Sequence, residues 1–122
     1  MRCGLLGVIP EGGSSPRNER GIATGFVVIA TWVANPGEAE HIRALLEKMT
    51  PLSRAEPKVI CYQAHVSADD PNTFVLYEHY TDPSGYEEHR ATEAFRSLVL
   101  NEAIPRLASR TVQTFTTIGP DT

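Results

Sequence analysis

Glu78 and His89 are the side chains of this chain best suited to moving a proton, and both lie in the stretch Phe74 to Phe95, FVLYEHYTDPSGYEEHRATEAF. An imidazole titrates close to neutrality, and a carboxylate can act as a base in the same range once burial raises its affinity for protons. Glu78 follows Phe74, Val75, Leu76 and Tyr77, a run without a polar break, and Tyr80 comes soon after. Such a run reads as a strand covered on both faces, so the carboxylate is set into the interior. Asp82 and Pro83 then turn the chain into a helix. The carboxylate can accept from an orphan amide of the first turn, and proline at the first helical position gives up no donor the helix would have used. Beyond that turn Tyr86, His89 and Arg90 recur at three- and four-residue spacing, which places them together along a helix.

The elements that must position this stretch can be read in order. Residues 1–22 combine Gly12, Gly13, Ser14, Ser15 and Pro16 with charged residues and form an expected flexible arm, within which only Leu5 to Ile9 is apolar enough to dock. The domain is expected over residues 23–120. Phe26 to Ala34, FVVIATWVA, reads as a central strand buried on both sides. Asn35, Pro36 and Gly37 break it, and Ile42, Leu45, Leu46, Met49 and Leu52 recur at helical spacing, with a kink or a separate turn expected at Pro51. Val59 to Val66 alternates as a second strand, with Val59, Cys61, Gln63 and His65 on one side and Ile60, Tyr62, Ala64 and Val66 on the other. Cys61 there suits a small buried side chain.

The turn-rich segment Ser67 to Asn72 makes a hairpin into the strand Thr73 to Tyr80. Thr92 is a fresh N-cap for a second short helix carrying Ala94, Phe95, Leu98 and Val99, and Thr111 to Ile118 is a closing strand. The order is βαββ(αα)β, an α+β, ferredoxin-like pattern whose four-stranded antiparallel sheet takes its helices on one face. Apolar residues on both faces of two strands call for a second cover. A second copy of the sheet supplies it most simply, so a homodimer is expected.

Composition removes several classes of function. With 122 residues, 41% of them hydrophobic, the chain has room for one modest core. Eleven basic against fifteen acidic residues, without a dense basic cluster, leave no footprint for nucleic acid. No apolar run approaches a membrane span, and Leu5 to Pro10 is too short and too interrupted for a signal peptide core, so no membrane association and a cytoplasmic location are expected. His65 and His79 can approach across a hairpin but lack a third ligand at suitable spacing, so no metal site is expected. Neither a phosphate-binding glycine loop nor a G-x-S-x-G element appears, which argues against nucleotide, flavin and serine hydrolase chemistry.

Taken together, several of these residues resemble the antibiotic biosynthesis monooxygenase family. They are the first strand with Pro36 and Gly37, the run Ser53-Arg54-Ala55-Glu56-Pro57, Tyr62, and Asp69-Asp70-Pro71. Phe74-Val75-Leu76-Tyr77-Glu78 and then His89, Thr92 and Phe95 complete the set. The resemblance covers Phe26 to about Pro120. It implies a dimeric α+β barrel and, for the members that act on quinols, oxygenation without cofactor or metal. Two positions depart from the family's usual pattern. Tyr80 stands where tryptophan is frequent, and Ala94 stands where histidine often precedes the phenylalanine. The Asn, Trp and His that haem-degrading relatives require align with Ala30, His89 and Val99, so haem cleavage is not implied.

In cofactor-free oxygenation the substrate supplies the electrons, and the protein binds it, removes a proton and excludes water. His89 is the first candidate base and Glu78 the second. Tyr62, Tyr80, Trp32, Tyr86 and Phe95 are candidate contacts to a small aromatic substrate, a quinol or polyphenol held between sheet and helices. Each has a bland alternative. His89 can be a helix-surface or subunit-contact imidazole, Glu78 a buried carboxylate paired with Arg90, Arg54 or a tyrosine hydroxyl, and the aromatics simple core packing. The competing function is a non-enzymatic dimer that binds a small hydrophobic molecule.

Overall fold

The computed structural model describes residues 25–118, so the expected arm over residues 1–22 lies outside the described residues. Strand β1 (Phe26–Ala34) is followed by helix α1 (Ala39–Arg54), strands β2 (Val59–Val66) and β3 (Thr73–Tyr80), and helix α2 (Pro83–Arg90). A third helix, α3 (Phe95–Ala103), a single 3₁₀ turn (Ile104–Arg106) and strand β4 (Leu107–Thr116) complete the domain. The strands form one antiparallel sheet in the order β2-β3-β1-β4, the ferredoxin-like arrangement that the element order implies.

Register decides which side chains share a face. Val28 lies opposite Glu78, Ala30 opposite Leu76 and Trp32 opposite Phe74, while Tyr62 of β2 is aligned with Glu78 from the other side. Because strand side chains alternate, these residues point the same way. On that face Ile42, Leu45, Leu46 and Met49 of α1 and Phe95, Leu98, Val99 and Ala103 of α3 close over Ala30, Trp32, Tyr62, Phe74 and Leu76. The opposite face carries Val27, Cys61 and His79, which are also buried, beside half-buried Ile29, Val33, Val75 and Tyr77.

Local chemistry explains how the chain enters α2. Asp82, in extended conformation, accepts from the Ser84 amide at 2.8 Å, and Pro83 occupies the first turn. Gly85 lets this helix settle on β3. A Cβ there would stand 3.0 Å from both the Lys58 and Tyr80 Cβ atoms, so the close seat that carries His89 over the sheet depends on the missing side chain. Thr92 caps the next segment as expected: its hydroxyl donates to the His89 carbonyl at 2.8 Å and accepts from the Phe95 amide at 3.0 Å.

The structure departs from several expectations. Of the kink or separate turn expected at Pro51, the separate turn is not found, and helix α1 runs through Pro51 as one helix. Its last turn is tied to β2 by Arg54, which donates to the Tyr62 carbonyl at 3.0 Å and to the Gln63 side chain at 3.1 Å. Leu52 is exposed and Ser53 buried, because Ser53 completes the row begun by Ile42, Leu46 and Met49. In β2 a register shift between Val59 and Cys61 turns Val59 toward the helix-side core instead of the Cys61 side. Finally, α3 is wound as a π-helix, and β4 begins at Leu107, where pairing with Ala34 starts it four residues before its β-propensity does.

Candidate active site

Where β3 ends and α2 begins, the sheet brings a carboxylate and two phenols under an imidazole. Glu78 is 5% exposed and accepts from the Tyr80 hydroxyl at 2.6 Å. Of the partners considered for it, the tyrosine hydroxyl is the one found. Arg54 serves the β2 backbone instead, and Arg90 stacks on the Tyr86 ring with its guanidinium carbon 4.4 Å from the centroid. His89, only 2% exposed, is a core residue and not a surface one. Its ring is enclosed by Phe95, Tyr62 and Tyr80, with centroids at 5.3, 5.8 and 5.9 Å. Nδ1 lies 3.1 Å from each carboxylate oxygen of Glu56.

Electrostatics assign protons within the cluster. Burial raises the Glu78 pKa, an effect opposed by His89, by the Tyr80 hydroxyl and by Arg110. The Tyr62 and Tyr80 phenols are both pushed upward by burial first and then by the Glu78 charge, so they stay protonated donors. Neither phenol is a base. The groups left to exchange a proton are the imidazole and the buried carboxylate.

One narrow cavity runs through this cluster. Trp32, Tyr62, Glu78, Tyr86, His89 and Phe95 line it, together with Val28, Ala30, Leu76, Val99, Arg110 and Val112, and it leaves ≈ 10 Å³ free for a water centre, on the order of one water molecule. Six of the seven residues singled out from sequence are therefore on its wall. The seventh, Tyr80, stands behind it as the Glu78 donor, wholly buried against His89 and Tyr86. The indole Nε1–H of Trp32 is buried without an acceptor. A larger groove of ≈ 230 Å³ lies between α1 and the edge strand β2, lined by Arg43, Glu47, Thr50, Gln63 and His65 among others. It is open and holds no buried titratable group, so its size does not make it the better candidate.

Two residues of the cluster escaped the sequence reading. Glu56 enters there only within the run Ser53-Arg54-Ala55-Glu56-Pro57 and with no role of its own, and Arg110 lies outside the expected strand. The register of β4, Trp32 opposite Arg110 and Ala30 opposite Val112, would have exposed the second had the strand start been known. Among the described residues, no three His, Cys, Asp or Glu side chains group as metal ligands, and no helix is long and apolar enough to cross a membrane.

A ferredoxin-like α+β domain with a polar, aromatic-walled cavity between its sheet and its helices is the class that these observations define. The chain belongs to the antibiotic biosynthesis monooxygenase family, whose model matches residues 25–99. Solved structures agree. A Shewanella oneidensis protein is 26% identical with a TM-score of 0.72, over 77% of this chain and 91% of that one. A Pseudomonas aeruginosa protein is also 26% identical, with a TM-score of 0.73 over 80% and 97%. A structure described as an antibiotic biosynthesis monooxygenase shares 26% identity and a TM-score of 0.72 over 76% and 98%. Among functionally curated proteins none matches.

The buried carboxylate makes a pH-dependent contribution whose sign can be worked out. With its pKa raised on folding, Glu78 keeps its proton in the folded chain at pH values where the unfolded chain has lost it. Its contribution is therefore fully present below the ordinary carboxylate pKa, about 4.3, and is lost as pH rises through the folded value. Glu78→Gln cannot ionise, so its melting temperature relative to wild type should climb between pH 4 and pH 7. Calorimetry at both pH values measures this, and a difference that is flat or falls would refute the desolvation account.

Proposed function

We propose that this protein is a monooxygenase that works without metal or flavin on a small aromatic quinol or polyphenol, bound in the cavity between sheet and helices. The observation that carries this reading is a buried imidazole, His89, sharing one cavity wall with a buried carboxylate, the protonated Tyr62 phenol and an unsatisfied indole N–H. The monooxygenase name of the family and of a similar structure supports it.

In this reading His89 takes the phenolic proton. The resulting anion has carbanion character at a ring carbon and reduces dioxygen there. For a hydroquinone the balance is quinol plus O₂ giving hydroxyquinone plus water. One ring C–H bond breaks, one C–O bond forms, the second oxygen atom leaves as water, and the four electrons come from the substrate. Arg110, at the open edge of the sheet, favours the anion. The Tyr62 hydroxyl and the Trp32 N–H are donors for substrate oxygens, and Tyr86 and Phe95 flank the ring. Since the closed cavity holds no more than a water, admission of an aromatic ring requires the α3 wall, Phe95 and Val99, to move outward. The π-wound segment bearing those residues suits that role.

Oxygen uptake with a panel of hydroquinones tests the reading. Wild type should consume oxygen, and His89→Ala should lower turnover by roughly 10²- to 10⁴-fold, the usual effect of removing a positioned base. No uptake with any quinol, or a His89→Ala protein equal to wild type, would instead favour a dimer that only binds a hydrophobic molecule.

The same proposal includes a second copy of the chain on the sheet face away from the helices. Half-buried Ile29, Val33, Val75 and Tyr77 and the 44% exposed Phe115 give that face its apolar character. Light scattering at micromolar concentration should report twice the mass of the chain, and a monomer would exclude this arrangement.

A further inference from the structure

The geometry points to Glu56 as the residue that positions His89 and fixes which ring nitrogen carries its proton. This rests on the reading of His89 as the base, and it adds a residue with no direct place in the cavity wall.

Glu56 sits in the short connection between α1 and β2, 33 residues from its partner in sequence. Its own backbone is held on both sides, the N–H donating to the Ser53 carbonyl at 3.1 Å and the C=O accepting from the Val59 amide at 3.2 Å. The side chain is 16% exposed, and both of its oxygens stand 3.1 Å from His89 Nδ1. A carboxylate accepts only, so in a neutral ring Nδ1 must be the protonated nitrogen and Nε2 the one with a free lone pair. The two nitrogens lie on opposite sides of the ring. With Nδ1 anchored on Glu56, Nε2 is the nitrogen left to meet the cavity that His89 lines.

The packing around the ring gives this bond its importance. Tyr62, Tyr80 and Phe95 enclose the imidazole without fixing its tautomer. Glu56 supplies the missing choice, and it leaves the ring able to accept a proton at the atom nearest a bound substrate. Without a carboxylate at Nδ1 the proton can sit on Nε2, where it would block the base. A carboxylate hydrogen-bonded to one ring nitrogen orients working histidines in other enzymes in the same way.

Nitrogen NMR of ¹⁵N-histidine-labelled full-length protein at pH 8 tests the claim directly. Wild-type His89 should appear as the Nδ1–H tautomer, and Glu56→Ala, which removes the acceptor, should shift it toward Nε2–H while the fold, followed by the remaining amide signals, is kept. Turnover with an active quinol should fall about 10- to 100-fold in the same variant. An Nε2–H or doubly protonated ring in wild type would overturn the inference, and that measurement needs no variant. A Glu56→Ala protein that keeps the Nδ1–H tautomer, whatever its stability, would overturn it too. If the tautomer behaves as stated but no quinol is oxidised, the positioning stands and the oxygenase reading falls.

Discussion

Burying the Glu78 carboxylate is the constraint around which this domain is arranged. An unpaired charge in a protein interior is costly, and the chain meets that cost locally: the Tyr80 hydroxyl, two residues along the same strand, donates at 2.6 Å, and Arg110 brings positive charge from β4. Strand β3 must be central to bury Glu78, α2 must lie close on it to deliver His89, and Gly85 is the residue that permits the approach. The network is then continued outward, since His89 is itself held by Glu56 at the rim.

Strand patterns and caps made most of the fold legible from sequence. The apolar runs of β1 and β3 announce buried central strands, and Asp82-Pro83 announces the start of α2. Alternation groups Tyr62 with Ala64 within β2, but only the register of β2 on β3 puts Tyr62 beside Glu78. What sequence hid was set by tertiary pairing. Leu107 to Arg110 has weak strand preference and becomes extended only because β1 pairs with it, so Arg110 could not be placed. Glu56 has no periodic signal at all, because its partner is brought near by the fold and not by spacing. Neither the π-winding of α3 nor the uninterrupted course of α1 through Pro51 has a signal in the apolar spacing of those segments.

A narrow cavity lined by a buried imidazole, a buried carboxylate, a phenol and an orphan indole N–H has a simple chemical reading. A donor buried without an acceptor leaves roughly 1–3 kcal/mol of hydrogen-bond energy unrealised, and a ligand oxygen can recover it. The small free space limits what the cavity holds as it stands to about one water molecule.

Trp32 is the single tryptophan of the chain and lines the cavity, so its fluorescence reports occupancy of this site and of no other. Titration of the anaerobic protein with a hydroquinone tests the central claim, that the aromatic-walled cavity is a ligand site. A saturable change in Trp32 emission, weakened when Tyr62 is replaced by Phe, is the result expected. Emission that changes only in proportion to added quinol, without saturation, would contradict it.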